Sequence, residues 1–199
     1  SYAATAGGLP DFAANHLAGV PSYTIRHEDE PDMNNLWLAL TKADQRKFTL
    51  IASSLGEGEE ENDEGIISGH AYSLISIHKL QHDSRVVRLL KLRNPWGSGE
   101  WQGDWSDKSP LWTPALKQEV NLKDENDGSF FIELSDYLQH FAWTSVCVEN
   151  NNANYYHSQL QHSFGSAVDD ATIPQAFFQF TLSSEVHFEK RAFAISVLQ

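Results

Sequence analysis

The sequence predicts an α+β fold that consists mainly of antiparallel β-sheet. Several apolar runs rich in β-branched and aromatic residues are separated by polar turns, which is the pattern of antiparallel strands. Only one segment shows a strong helical periodicity. Hydrophobic residues make up 41% of the 199 residues and aromatic residues 12%, so the chain can bury a core.

The first predicted elements are an arm and a helix. Residues 1–22 are rich in Gly, Ala and Pro with little periodicity, and we predict a linker or an extended arm. The predicted core domain begins at residue 23, and a helix is expected over 31–47, where Asp32 suits the first turn. Four apolar residues lie on one face of this helix: Met33, Leu36, Trp37 and Leu40.

The middle of the chain is predicted to be strands and an acidic loop. A short strand is expected over 48–54, and the next acidic run, 57–64, carries six carboxylates in eight residues. Their mutual repulsion favours a solvated, flexible loop. Two longer strands are then predicted over 71–77 and 85–92, joined by a polar turn.

The predicted core domain ends at residue 150. Its last elements are a strand over 129–134, a short helix over 135–141 with Ser135 as a plausible N-cap, and a strand over 144–149. These complete a sheet with few helices.

Residues 151–199 are predicted to be a linker and the beginning of a second β domain. Two alternating strands, 175–182 and 191–198, follow an Asn-rich spacer. Because an isolated pair of strands is marginal in water, we expect this second domain to be truncated.

Charge and cysteine content exclude several classes of protein. The formal net charge is −13, from 27 acidic and 14 basic residues, which repels phosphate backbones and anionic headgroups. We therefore expect neither nucleic acid nor a membrane as a partner. One cysteine, no glycosylation sequon and no long apolar segment favour a cytoplasmic protein. The chain does not begin with Met, and we expect it to belong to a longer polypeptide.

Four segments resemble the second half of the protease core of calpains, a family of papain-like cysteine proteases. They are GHAYSL at 69–74, LLKLRNPWGSGEWQGDWSD at 89–107, DGSFFIELSDYLQHF at 127–141, and the glycines between residues 7 and 20. They occur in the family's order and approximate spacing across residues 7–148. Residues 155–199 resemble, more loosely, the start of the C2-like β-sandwich that follows this core in calpains.

The resemblance implies a catalytic role for His70, Asn94 and Trp96. His70 is the expected catalytic histidine, Asn94 orients it, and Trp96 covers their contact. The chemistry agrees, since an imidazole must hold a thiolate as an ion pair and later protonate the leaving amine. His70 precedes one predicted strand and Asn94 ends the next, before Pro95, so adjacent antiparallel strands could bring the two residues together.

The nucleophilic cysteine is expected outside this sequence. In papain-like enzymes it lies well over a hundred residues before the histidine, and His70 has fewer residues ahead of it. Cys147 follows the histidine and lies in an apolar alternation, so we predict a small buried side chain. His78 and His82 resemble a metal pair, but a turn without a third ligand favours two solvated side chains.

The resemblance also implies a calcium site. Its expected ligands are the carboxylates of Glu100, Asp107 and Asp127 and the backbone carbonyl of Glu125. Ser129 stands where the family has a further acid, so we predict weak binding, with a dissociation constant on the order of 10⁻⁴ to 10⁻³ M. The alternative is a set of acidic solvated loops that hold no metal.

These expectations lead to one main functional hypothesis and two alternatives. The main hypothesis is the His/Asn-bearing half of a calcium-regulated intracellular cysteine endopeptidase, inactive alone, which cleaves protein substrates when assembled with an upstream cysteine-bearing subdomain. A calpain-like scaffold or interaction module without the cysteine is the first alternative. The second, a purely β binding module of C2 type, explains only the last fifth of the chain. The residue at the nucleophile position distinguishes the enzyme from the scaffold.

Overall fold

The structure is a computed structural model that describes residues 8–30 and 32–148, without the side chains of residues 16–18. The described part is α+β, as predicted, with a six-stranded antiparallel sheet and four α-helices. This architecture is compatible with part of a papain-like core. Among the helices described, none has the length and apolarity needed to cross a membrane.

The strands of the described residues belong to one sheet, in the order β1-β6-β2-β3-β4-β5, and every neighbouring pair is antiparallel. The strands are β1 (Ser22–Arg26), β2 (Thr49–Ser54), β3 (Ala71–His82), β4 (Arg85–Arg93), β5 (Ser129–Glu133) and β6 (Phe141–Cys147). The helices are α1 (Pro10–Ala18), α2 (Met33–Gln45), α3 (Pro114–Glu119) and α4 (Leu134–His140), and a 3₁₀ turn covers His27–Asp29.

Helix α2 is the predicted amphipathic helix. The Asp32 side chain caps it by accepting a hydrogen bond of 2.8 Å from the backbone N–H of Asn34, which satisfies a donor that has no partner within the helix. Leu36 and Leu40 are fully buried on the face that packs against the sheet.

The sheet is buried on both faces at β4, between two hydrophobic clusters. Leu90 and Leu92 pack in the cluster that contains α2, whereas Val87 and Leu89 pack with Trp105 in the other cluster. Successive side chains of a strand point to opposite faces, so this alternation shows that β4 lies in the middle of three layers. The two ends of β4 are therefore held firmly, and Asn94, a predicted site residue, directly follows one of them.

Several predicted boundaries were wrong. The predicted arm contains α1, which ends at the left-handed Gly19, and β1 begins at Ser22. Strand β3 continues to His82, so the predicted turn shrinks to two residues, with Asp83 at a positive φ of 51°. Ser135 is not the N-cap of α4, because the helix begins at Leu134 and Glu133 takes that position.

The second β domain predicted over residues 151–199, with its strands at 175–182 and 191–198, lies outside the described residues. Its C2-like character stays a prediction.

Candidate active site

The β3–β4 pairing brings His70 and Asn94 together. His70 immediately precedes β3 and Asn94 immediately follows β4, and the register pairs Ser73 with Arg93. His70 Nε2 lies 3.1 Å from Asn94 Oδ1, within hydrogen-bond distance. His70 is 8% exposed and Asn94 is fully buried, so this contact is shielded from solvent.

The other contacts of Asn94 fix the orientation of its amide. Its Oδ1 also accepts a hydrogen bond of 3.1 Å from the backbone N–H of Trp96, and its Nδ2 donates to the carbonyl of Gly99 at 3.4 Å. Because Oδ1 can only accept, His70 must carry a proton on Nε2. In the neutral imidazole, Nδ1 then holds the lone pair that can take a proton.

The backbone of His70 is anchored by Ser54, at the end of β2. Ser54 Oγ accepts a hydrogen bond of 2.9 Å from the His70 N–H, and the Ser54 N–H donates to the His70 carbonyl at 3.0 Å. Sequence reasoning missed this residue, because Ser54 is simply the last residue of a strand in the sequence. Only the pairing of β2 beside β3 gives it this role.

Two aromatic rings surround the imidazole. The ring of Trp96 lies 4.5 Å from that of His70, centroid to centroid, at an interplanar angle of 48°. Tyr72, which the sequence did not single out, packs edge-on at 5.1 Å. Burial raises the pKa of Tyr72 to about 12, so it stays neutral and its hydroxyl accepts from the Ile67 N–H. Trp96 itself is 52% exposed and covers His70 from solvent.

Gly128 supports Asn94 from the loop before β5. Its carbonyl accepts a hydrogen bond of 2.8 Å from the Asn94 N–H, and its φ is 81°, a conformation that favours glycine. A Cβ at this position would lie 2.8 Å from the Asn94 carbonyl oxygen. The close approach therefore requires the absence of a side chain.

The acidic run carries a residue that contacts His70. Glu59 Oε1 lies 3.4 Å from His70 Nδ1, the nitrogen that Asn94 does not use, and the Glu59 side chain is 62% exposed. The six carboxylates are exposed, as expected, but the backbone of the run is hydrogen-bonded. Asn62 closes a turn by accepting from Gly65, and the Ser68 N–H donates to the Glu60 carbonyl at 2.8 Å.

Cys147 lies at the far end of β2 from His70. It is buried and lies opposite Thr49 of β2 in the sheet, whereas Ser54 holds His70 at the other end of β2. Five residue steps along a strand separate these ends by roughly 17 Å. Cys147 is therefore too distant to exchange a proton with His70.

His78 and His82 lie in β3 and not in a turn, because the strand extends farther than predicted. His78 Nε2 is 2.8 Å from Ser76 Oγ, and burial lowers the pKa of His78 below its ordinary value. The His82 ring packs against Trp105 at 5.2 Å. Both side chains are half-buried and face aromatic rings, and the prediction that they lie in a solvated turn is wrong.

Asp107 is the unusual member of the predicted calcium ligands. It is buried, and neither carboxylate oxygen has a hydrogen-bond partner. Burial, followed by the charges of Glu100, Asp124 and Asp127, raises the pKa of Asp107 to about 7, and the Glu125 backbone opposes this only weakly. An uncompensated buried carboxylate is what a bound cation would satisfy.

The other predicted ligands are engaged within the protein. Glu100 Oε1 accepts from the Gly128 N–H, and Asp127 Oδ1 accepts from the Ser129 N–H, each at 2.8 Å. The hydrogen bond from Ser129 lowers the pKa of Asp127. The backbone carbonyl of Glu125 accepts from the Asp127 N–H.

The acids are close to one another but do not form a preassembled metal site. Across residues 8–30 and 32–148, no group of three or more His, Cys, Asp or Glu side chains is arranged to hold a metal. A cavity of about 20 Å³, the size of one small ion or water molecule, lies between Asp107, Asp127 and Ser129. The donor chemistry fits calcium, but the oxygens would have to converge.

Comparison with known proteins agrees with this geometry. The family model described as calpain family cysteine protease matches residues 1–148. The chain is similar to calpain-12 of Mus musculus, with 36% identity over 151 residues, which cover 74% of this chain and 21% of that protein. It is 41% identical to calpain-14 of Homo sapiens over 115 residues, which cover 57% of this chain and 17% of that protein. The chain thus spans about a fifth of the length of these relatives.

Proposed function

Because the chain belongs to the calpain family of cysteine proteases, we propose that it is the His/Asn-bearing half of an intracellular endopeptidase. Its partner is a cysteine-bearing subdomain that lies upstream in the same polypeptide, and its substrates are proteins. The observation that carries this proposal is the buried contact of 3.1 Å between His70 Nε2 and Asn94 Oδ1. That contact leaves Nδ1 as the nitrogen for a nucleophile.

His70 acts as both base and acid in the proposed reaction. The imidazole Nδ1 takes the thiol proton, and the resulting imidazolium and thiolate form an ion pair. The thiolate sulfur attacks the carbonyl carbon of the scissile peptide bond, and His70 gives its proton to the leaving amine. Water then attacks the acyl-enzyme, with His70 again accepting a proton, and the cysteine is released.

Asn94 and Trp96 prepare the imidazole for these steps. Two hydrogen bonds to Oδ1, from His70 and from the Trp96 backbone, keep the amide oxygen directed at Nε2. The tautomer with its lone pair on Nδ1 is therefore favoured before the substrate binds. The Trp96 ring lies over His70 and limits water access, which strengthens the ion pair.

We further propose that calcium binds weakly beside this site. Asp107, Asp127 and Glu100 would supply carboxylate oxygens, and the Glu125 carbonyl would supply a further donor. The bound ion would neutralise the buried Asp107 charge. The Glu100 side chain accepts a hydrogen bond from Gly128, and the Gly128 carbonyl accepts one from the Asn94 N–H, so two hydrogen bonds connect the proposed calcium ligand Glu100 to Asn94.

The proposal is tested by peptidase activity in the chain assembled with its cysteine-bearing half. We expect cleavage of an unfolded protein substrate by the assembled protein and background cleavage by this chain alone. His70→Ala should lower kcat/KM at least about 10²-fold, the lower bound for loss of general acid–base catalysis. His78→Ala is the matched control and should retain activity. Absence of cleavage by the assembled wild type would favour the scaffold.

A further inference from the structure

Glu59 occupies the side of His70 where a nucleophile must bind. Its Oε1 is 3.4 Å from Nδ1, while Asn94 holds Nε2 on the other side of the ring. The Glu59 carboxylate carries a negative charge, as the catalytic thiolate does. The two anions therefore compete for one position beside Nδ1.

The local backbone positions Glu59 at this place. The Gly69 N–H donates to the Leu55 carbonyl at 3.1 Å, and the Ser68 N–H donates to the Glu60 carbonyl. The two residues before His70 are thereby hydrogen-bonded to the chain on either side of Glu59, at Leu55 and at Glu60. Gly58 has a φ of 77°, which turns the chain immediately before Glu59.

The contact is selective within the acidic run. Among the described residues, Glu59 is the one member of the acidic run whose carboxylate lies within ion-pair distance of a basic side chain, and that side chain is His70. The buried imidazole is fixed by Ser54 and Asn94, whereas the Glu59 side chain is largely exposed. The carboxylate can therefore leave by side-chain rotation without a change in the catalytic pair.

We propose that Glu59 is an internal counter-ion that takes the place of the catalytic thiolate on His70 and restrains the protease until it is displaced. This inference rests on the proposed function. When the cysteine-bearing half docks, one anion replaces another at Nδ1. The thiol proton moves to Nδ1, as in the proposed reaction. The Glu59 carboxylate then returns to water, and its charge is unchanged.

The contact itself is tested on the 199-residue chain, without any catalysis. Diethyl pyrocarbonate modifies an unprotonated imidazole nitrogen, and mass spectrometry can follow the modification of His70. Glu59→Gln should raise the modification rate about two- to fivefold, the effect of a partly exposed ion pair. Glu60→Gln removes the same charge from the neighbouring position and should leave the rate unchanged. Equal rates in both variants and the wild type would overturn the proposal.

The restraint is tested in the assembled protein. Glu59→Gln should raise kcat/KM about two- to fivefold at low ionic strength, and the gain should shrink at high salt because the ion pair is screened. Glu60→Gln should show no such gain. Faster His70 modification with unchanged kcat/KM would overturn the restraint. A different result would refute the proposed protease function instead. In that case the assembled wild type shows no activity, while the rate of His70 modification still depends on Glu59.

Discussion

Replacing Asp107 by Asn should stabilise the calcium-free protein at alkaline pH. The substitution keeps the shape of the side chain and removes the charge of a buried carboxylate whose two oxygens have no partners. The pKa of Asp107 rises from 3.8 to about 7 on folding, so the folded state binds the proton more tightly. Stability from this group is therefore greatest below pH 3.8 and is lost as the pH rises towards 7.

The size of the effect follows from the pKa difference. At about 1.4 kcal/mol per pKa unit, the full shift sets a ceiling of about 4 kcal/mol on the cost of the charged carboxylate. Water entering the site and movement of the neighbouring acids lower this value, so we expect Asp107→Asn to gain about 1–3 kcal/mol at about pH 8. At about pH 5, the gain should be smaller, because the wild-type carboxyl is then largely protonated in the folded protein.

Urea unfolding at these two pH values, with a calcium chelator present, measures the gain. Asp104→Asn is the matched control, because Asp104 is exposed and lies three residues away in the same loop. About 10 mM calcium should stabilise the wild type by about 1.4–2.7 kcal/mol if the dissociation constant is on the order of 10⁻⁴ to 10⁻³ M. The Asp107→Asn variant should gain much less from calcium. A loss of stability at about pH 8 in this variant would contradict the reasoning.

Four further measurements extend the account. Ser129→Glu should tighten calcium binding in calorimetry because it adds a carboxylate beside Asp127. Unchanged binding would place the ion elsewhere, and absent binding would exclude a calcium site. Burial lowers the pKa of His27, so wild-type stability should fall below pH 6.5 relative to His27→Gln in urea unfolding, and parallel pH profiles would refute this. Gly128→Ala should reduce kcat of the assembled protein at least about 10-fold by shifting Asn94, whereas Ser98→Ala in a neighbouring loop should not. Cys147→Ser should leave kcat/KM unchanged, and a strong loss would show that the nucleophile is misassigned.

The elements with a local signal could be predicted from the sequence. Helix α2 has a regular apolar face and a capping Asp32, and the β3–β4 hairpin has long apolar runs. Helix α1 and strand β1 were missed because they are short and depend on tertiary contacts. Strand β1 pairs with β6, more than a hundred residues away along the chain, and no local pattern reports such a pairing.

The candidate site likewise contains residues that the sequence could indicate and residues that only the fold reveals. His70, Asn94 and Trp96 could be proposed because they lie in segments that resemble a known family. Ser54 and Glu59 could not, since a serine at a strand end and one glutamate among six carry no separate signal. Their roles arise only when folding places both beside one imidazole. The unpartnered state of Asp107 likewise depends on burial, which the sequence did not reveal.

The most direct test of the central claim is the pH dependence of alkylation of the nucleophilic cysteine in the assembled protein. Mass spectrometry of the cysteine's peptide after iodoacetamide treatment follows the thiolate even in variants without activity. If His70 forms the ion pair, the wild-type midpoint should lie well below the value of about 8.5 for a free thiol, and His70→Ala should return it to about 8.5. Identical profiles for wild type and His70→Ala would contradict the account.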